Sequence, residues 1–243
     1  MRTLAAFARN DALTLLRDAF LAYIIAMPYV LVLGARWLIP ALTAWLQDRF
    51  AFDAVPYYPL VIGAMFVLQA PMMFGVVIGL MMLDERDADT LTALRVTPFP
   101  LTHYALYRMA LAAAMGTAFV LVAPALTGVM PLAAWPATVP LALCAGLMGA
   151  ASALALATFA GNKVEGIALM KGIGLFMVGP LAAYFLPSNW GLLLGVLPSY
   201  WPVQAFWAAW AGGSAWPYAL VGLVYLAGLC LWLMGRFKRR IED

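Results

Sequence analysis

The stretch Leu83-Asp-Glu-Arg-Asp-Ala-Asp-Thr-Leu-Thr-Ala-Leu-Arg-Val-Thr-Pro98 is polar and lies between two long apolar runs. Six of its sixteen residues are charged, in a chain where 10% of residues are charged. Before it, residues 57–83 contain no ionisable side chain except two tyrosines, and after it residues 109–161 carry no charge. A charged segment between two such runs cannot lie inside a bilayer, so we expect it to face water on one side.

The second half of this stretch has the pattern of a short helix. Asp89 or Thr90 is suited to the N-cap, and Leu91 and Leu94 fall on one helical face. Pro98 ends the pattern, because the residue before a proline is pushed towards extended geometry. A solvated loop without further role is the alternative interpretation.

The stretch resembles the segment after the second span of ABC-2 type permeases, the membrane halves of ABC exporters. In that family the segment carries a coupling helix that docks on a separate ATP-binding subunit. The resemblance implies a cytosolic coupling segment at 84–100. It assigns roles to the following residues, first the charged lead-in, then the helix and its end: Glu85, Arg86, Asp87, Thr90, Leu91, Leu94, Thr97 and Pro98. Asp89 stands where the family often has glycine, so we expect a different turn into the helix.

The composition is that of a polytopic helical membrane protein. The chain has 243 residues, 66% of them hydrophobic, with a mean hydropathy of +0.93. A soluble domain is nearer half apolar, and the strands of an outer-membrane barrel would alternate apolar with polar residues. A net charge of +3 does not favour a nucleic-acid partner. Cys144 and Cys230 lie in apolar runs and do not indicate a disulfide framework.

Six apolar segments are long enough to cross a bilayer, so we predict an all-α membrane protein. The predicted spans are approximately 20–40, 57–83, 101–127, 137–160, 166–187 and 216–235. Residues 41–56 are expected to form an external loop with a short helix around 43–50. The fourth span is rich in Gly, Ala and Ser, so we expect it to pack inside the subunit. By the ABC-2 resemblance, residues 1–243 form a single transmembrane domain.

The N-terminal segment is too polar to span a bilayer. On a helical projection its apolar residues share one side and Arg2, Arg9 and Arg17 lie opposite, which fits an amphipathic helix in the interface. A plain basic tail is the alternative. The ABC-2 resemblance implies an elbow helix at 1–19.

Residues 188–213 contain no ionisable group apart from Tyr200 and are broken by Pro198, Pro202 and a Gly-Gly pair. The pieces between these breaks are too short to cross, and the abundant Trp and Tyr are typical of an interface. We expect one or two short re-entrant or surface helices on the outer side, which ABC-2 folds also have before the last span.

Residues 161–165, Gly-Asn-Lys-Val-Glu, have the pattern of a tight helical hairpin. Gly161 is suited to end one helix in a left-handed conformation, and Asn162 with Glu165 has capping-box spacing for the next. Asn-Lys-Val-Glu-Gly166 followed by Ala-Leu-Met-Lys-Gly172 resembles a narrower group, the small six-span permeases described as fluoroquinolone exporters. Lys171 lies nine residues beyond Asn162, about 13 Å along the helix. It either snorkels to the cytosol or faces a wet cavity.

The distribution of basic residues sets the sidedness. With both termini in the cytosol, twelve Lys and Arg lie inside and only Arg36 and Arg49 lie outside. This positive-inside bias places the segment at 84–100 in the cytosol. The resemblance to bacterial permeases implies the inner membrane.

The chain contains no Gly-x-x-x-x-Gly-Lys-Ser/Thr sequence and only one histidine, so an ATPase site or a metal enzyme is not indicated. We therefore expect no cofactor in this chain, with ATP and Mg bound by a partner subunit. The expected partners are an ABC ATP-binding subunit, a second copy of this permease or a close paralogue, and the lipid bilayer, but no nucleic acid. Asp and Glu are absent from the middles of the spans, whereas ion-coupled carriers usually need a membrane-embedded acid.

The resemblance implies that the second and fifth spans line a substrate pathway. The candidate pathway-lining residues are Gln69, Met72, Met73, Phe176 and Met177. Methionine is adaptable and suits varied apolar substrates, although ordinary packing is the alternative. The predicted function is therefore an ATP-driven drug exporter that works by alternating access. An ion-coupled carrier and a non-transporting membrane scaffold remain as alternatives.

Overall fold

The computed structural model describes residues 11, 13, 17–88, 101–128, 138–186 and 191–242. Across these ranges every regular element is helical, and six helical segments are long and apolar enough to cross a membrane. The prediction of an all-α protein with six spans is confirmed. The spans, numbered first to sixth, are Ala19–Phe50, Val55–Asp87, Leu101–Thr127, Thr138–Phe159, Lys163–Ala183 and Trp216–Glu242.

The first span is a single helix, which corrects the prediction of a loop from residue 41. Asp18 caps its N-terminus by accepting hydrogen bonds from the N–H groups of Phe20 and Leu21, at 2.9 and 3.2 Å. Pro28 and Pro40 lie inside without ending it, and Ala51 closes it at φ 50°. At 1.5 Å per residue the helix is about 48 Å long, so it exceeds the ~30 Å apolar core of a bilayer.

The second span changes its helical winding along its length. It begins with a 3₁₀ turn and a short α-helix, passes through a π-helix at Gly63–Gln69, and continues as the α-helix Ala70–Asp87. Pro71 has no N–H, so the carbonyl four residues earlier lacks its usual helical hydrogen bond. A local π-helix is one way to accommodate the loss of that hydrogen bond.

The second, third and fourth spans pack together with their backbones nearly in contact. A Cβ on Gly75 would lie 2.0 Å from the carbonyl oxygen of Gly149, and one on Gly146 would lie 2.4 Å from that of Ala113. Small residues permit this approach. Most of the fourth span is buried, which confirms the prediction that it packs inside the subunit.

The fifth span is a broken helix. Its first part is Lys163–Leu175 and its second is Val178–Ala183. The break at residues 176–177 lies beside the segment that the sequence predicts to be re-entrant, since Ser199 donates to the carbonyl of Phe176. That segment contains the 3₁₀-helix Leu192–Val196 and the helix Tyr200–Trp210. The hydroxyl of Tyr225 donates to the carbonyl of Val196 at 2.5 Å. Since Tyr225 lies nine residues into the sixth span, the segment reaches about 13 Å inwards from Trp216.

The sixth span continues as helix through the basic residues 236–240, where a tail was predicted to follow Gly235. The elbow helix predicted at 1–19 falls mostly outside the described residues. Of that stretch Asp11, Leu13 and Arg17 are described as helical, and Asp11 is buried.

Candidate functional site

Four consecutive charged residues end the second span: Asp84, Glu85, Arg86 and Asp87. Successive residues of an α-helix are rotated by about 100°, so four in a row point in four directions around the axis. Each of these four side chains binds a different set of neighbours, as the next paragraphs describe. We call these four residues and their partners the charged hub, and the end of the bundle where they lie the charged end.

Glu85 pairs with Arg108 of the third span. The guanidinium of Arg108 is fully buried and lies between two carboxylates, that of Glu85 and that of Asp11, whose Oδ2 is 2.8 Å from Nη1. The hydroxyl of Tyr104 donates to Glu85, and that of Tyr107 donates to Asp11 Oδ2 at 2.7 Å. This part of the hub therefore joins the second span, the third span and the N-terminal segment through one buried cation.

Asp84 pairs with Lys163, the first residue of the fifth span. The ammonium nitrogen of Lys163 lies 2.8 Å from Asp84 Oδ2 and 3.4 Å from Asp18 Oδ2. Burial acts to raise the pKa of Asp18. The N–H of Leu21, the charge of Lys163 and the N–H of Phe20 outweigh it, so the pKa of this carboxyl lies below its usual value. Asp18 thus stays ionised near neutral pH, as an N-cap and as a partner of Lys163.

Arg86 binds the C-terminus of the fourth span. Its Nη2 donates to the carbonyl oxygens of Ala160 and Gly161, at 2.6 and 2.5 Å. Arg240 of the sixth span donates to the carbonyl of Thr158 in the same region. The last carbonyls of a helix have no partner within the helix and carry partial negative charge. The two arginines donate hydrogen bonds to carbonyls in this region, and their positive charges interact favourably with the helix dipole.

Asp87 binds the N-terminus of the fifth span, where its Oδ2 accepts the N–H of Lys163 at 3.0 Å. The predicted cap is present beside it: Asn162 Oδ1 accepts the N–H of Glu165 at 2.9 Å. Glu165 in turn accepts the N–H of Gly161 at 2.6 Å. The prediction of a left-handed Gly161 is wrong, since only Gly128 and Gly212 among the described glycines have positive φ. The hydrogen bond to Glu165 closes the hairpin without that conformation.

The charged lead-in Glu85, Arg86 and Asp87 thus lies in a network of ion pairs and helix caps. The remaining predicted coupling residues, Thr90, Leu91, Leu94, Thr97 and Pro98, lie outside the described residues.

Sequence reasoning missed the partners of the hub. The sequence patterns described above do not single out Asp11, Asp18, Tyr104 or Arg108. Two signals were present. Arg108 is the only Lys or Arg of the third span, with Tyr104 four residues before it, and Asp11 and Asp18 are the only acids before residue 48.

The proposed pathway residues fall in two groups. Met72 and Phe176 line one apolar cavity of about 560 Å³ between the fourth, fifth and sixth spans. Gln69 and Met73 are partly exposed and lie four residues apart on the second span. Met177 is also partly exposed and packs against the buried core. The structure therefore brings Met72 and Phe176 together, while the other three lie outside the lining of that cavity.

Six spans and a charged end define a multi-pass membrane protein. Residues 11–234 match the family described as "Fluoroquinolones export permease protein Rv2686c-like". Two proteins of Mycobacterium tuberculosis are 36% identical to the chain over 240 residues, covering 98% of it and 95% of each relative. They are the fluoroquinolones export permease proteins MT2760, of strain CDC 1551 / Oshkosh, and Rv2686c, of strain ATCC 25618 / H37Rv. No solved structure matches the chain.

The chain belongs to the Rv2686c-like fluoroquinolones export permease family. This confirms the narrower resemblance inferred from residues 162–172, and with it the class of small exporter permeases.

Proposed function

We propose that this chain is the membrane subunit of an ATP-driven ABC exporter that moves amphipathic drugs out of the cell by alternating access. In this proposal it works in the bacterial inner membrane with both termini in the cytosol. It pairs with a second copy of itself or a close paralogue and with ATP-binding subunits that hold ATP and Mg. The relatives that are named as fluoroquinolone export permeases support a drug of that class as substrate.

The charged hub is the observation that carries the proposal. Residues 89–100 follow directly after it in the chain, and its side chains bind the first, third, fourth and fifth spans and the N-terminal segment. A displacement of residue 88 would act on all of these elements at once, because each is fixed by an ion pair or a helix-end hydrogen bond. A hub of this kind suits the transmission of a movement from a partner bound at residues 84–100.

The partner at that segment is proposed to be the ATPase, since the chain has no phosphate-binding loop of its own. Leu91 and Leu94 would supply the apolar contacts and Thr90, Thr97 and Pro98 the ends of the coupling helix. Glu85, Arg86 and Asp87 would connect that helix to the bundle.

The substrate pathway is proposed to lie between two copies of the chain, along the second and fifth spans. Gln69 and Met73 lie on the partly exposed side of an otherwise buried span, which leaves them open to a second copy. Phe176 and Met177 lie at the break of the fifth span, and Met72 of the second span lines the same cavity as Phe176. In this proposal, small changes of helix geometry at the break alter the wall of the pathway.

The test is transport of a fluorescent fluoroquinolone in vesicles that contain this chain and its co-purified ATPase. Transport should proceed with ATP and a protonophore, and should cease with a proton gradient and no nucleotide. Leu91→Asp should abolish ATP-driven transport, since it buries an unpaired charge at the ATPase contact. Asp53→Asn, at an exposed residue outside the hub, is the control and should transport normally. Gradient-driven transport by the chain alone would contradict the proposal and favour an ion-coupled carrier.

A further inference from the structure

The cavity of about 560 Å³ is a lateral groove in the membrane-spanning part of the molecule. Its walls are the fourth, fifth and sixth spans, and the re-entrant segment closes it at Val196 and Ser199. Phe159, Phe176 and Trp232 on its rim are about half exposed, so the groove opens sideways. Its volume is within the range of ~300–1,000 Å³ found for binding sites of small molecules.

The lining of the groove offers no free hydroxyl donor. Three hydroxyls reach it, and each donates to a backbone carbonyl: Ser152 to Met148 at 3.0 Å, Ser199 to Phe176 at 2.5 Å, and Tyr225 to Val196 at 2.5 Å. Among the other lining residues only Trp232 carries a polar group, its indole N–H. A ligand in the groove therefore gains from apolar burial rather than from hydrogen bonds.

At the charged end, Arg236 lies beside the mouth of the groove. The rings of Phe159 and Trp232 lie 6.2 Å apart, and the guanidinium of Arg236 lies 5.3 Å from the Trp232 ring centre. Arg236 is exposed and has no acidic partner among the residues that the structure describes. It lies one helical turn beyond Trp232, at the level where the sixth span becomes basic.

We propose that this groove binds one acyl chain of an anionic phospholipid, whose phosphate is bound by Arg236. A phospholipid supplies both parts of the ligand that the site requires, an apolar chain beside an anionic group. Basic side chains at the end of a span attract anionic headgroups, and aromatic rings mark the boundary between headgroup and chain. Met72 and Phe176, which the proposed function assigns to the substrate pathway, also line this groove, so a lipid bound here would border that pathway. The binding test requires no transport, so its outcome is distinguishable from a failure of the proposed function.

The experiment measures phospholipid binding to the delipidated full-length chain by native mass spectrometry in detergent. Dioleoyl phosphatidylglycerol should bind saturably, and dioleoyl phosphatidylcholine about fivefold more weakly, the contribution of about one basic side chain. Glycerol phosphate, which has the headgroup charge but no chains, should not be retained.

Gly172→Leu tests the groove itself. Gly172 lines the groove, and a Cβ there meets no atom within 4 Å, so a leucine side chain would start in open space and extend into the groove. We expect the affinity for phosphatidylglycerol to fall about tenfold or more as the chain loses its apolar burial. Gly174→Leu is the matched control, because Gly174 lies on the same helix in equally open space outside the groove lining.

Arg236→Gln tests the headgroup contact and should make phosphatidylglycerol bind as weakly as phosphatidylcholine. Arg49→Gln removes the same charge at the last turn of the first span and should leave the difference intact. Unchanged binding to the Gly172→Leu chain, or equal binding of the two lipids by the unmodified chain, would overturn the proposal. The proposal would also be overturned if the chain were found as a dimer without bound phospholipid. That result would indicate that a second copy of the chain occupies the groove.

Discussion

Arg108 is a cation in an environment that tolerates charge only when it is paired. Its side chain has no exposed surface, and its two carboxylate partners are 21% exposed for Glu85 and 4% exposed for Asp11. Desolvation of a buried ion costs several kcal/mol, which its partners offset only while all of them are present. Removing one member of such a pair destabilises the protein much more than replacing both members by apolar residues, because the remaining charge stays buried without a partner.

We expect Arg108→Met to lower the free energy of unfolding by about 3–5 kcal/mol, since two carboxylates lose their shared cation. Titration with a denaturing detergent, followed by circular dichroism, measures the change. Arg239→Met at an exposed position is the control and should alter stability by about 0.5 kcal/mol or less.

Adding Glu85→Gln to Arg108→Met should recover part of the lost stability, because it removes one of the unpaired carboxylates. Simple additivity of the two substitutions would contradict the coupling inferred from the structure.

At the scale of helices, the second and fourth spans are held together by glycine contacts. Gly75 faces the backbone of Gly149, and Gly79 faces Leu156 so closely that a Cβ would lie 2.8 Å from the Leu156 Cβ. Apolar side chains gain little from leaving lipid for a protein interior, so close packing supplies much of the association between such spans.

Gly75→Ala should destabilise the fold by about 1–3 kcal/mol, since the new methyl group overlaps a backbone carbonyl that cannot rotate away. Gly228→Ala is the matched control in the sixth span, where a Cβ meets no atom within 4 Å. There alanine should be neutral or stabilise the helix by about 0.5–1 kcal/mol. Thermal unfolding in nanodiscs separates these outcomes, and equal melting temperatures for the two variants would refute the contact.

At the scale of the whole molecule, the structure separates its charges towards two ends. Arg86, Lys163 and Arg240 meet at the charged end, whereas Arg36 lies beside Gly128, which follows the other end of the third span. The positive-inside rule predicts that the charged end faces the cytosol.

Cysteine labelling tests this orientation in a chain whose buried Cys144 and Cys230 are both replaced. A cysteine at Asp53 should react with an impermeant thiol reagent in intact cells. A cysteine at Arg239 should react only after the inner face is opened. The reverse pattern would invert the orientation and remove the segment at 84–100 from the compartment that contains ATP.

The sequence by itself determined the helical class, the number of spans and the family. These depend on local properties: the length of each apolar run, the charge between runs and the motif at residues 162–172. Prediction from the sequence was wrong where a local pattern is compatible with two structures. Pro40 indicated the end of the first span, yet the helix passes through it to Phe50, where Ala51 in a left-handed conformation ends it.

Only the tertiary structure decided which charges meet. Tyr107 binds Asp11, 96 residues away in the chain, and Arg86 binds the carbonyl of Ala160, 74 residues away. At such separations the sequence pattern does not show which residues will be in contact. Those pairings depend on the rotation of each helix about its axis, which is set by contacts such as Gly75 against Gly149. A rotation of one residue moves a side chain by about 100°, so the charged hub follows from packing and not from the order of its residues.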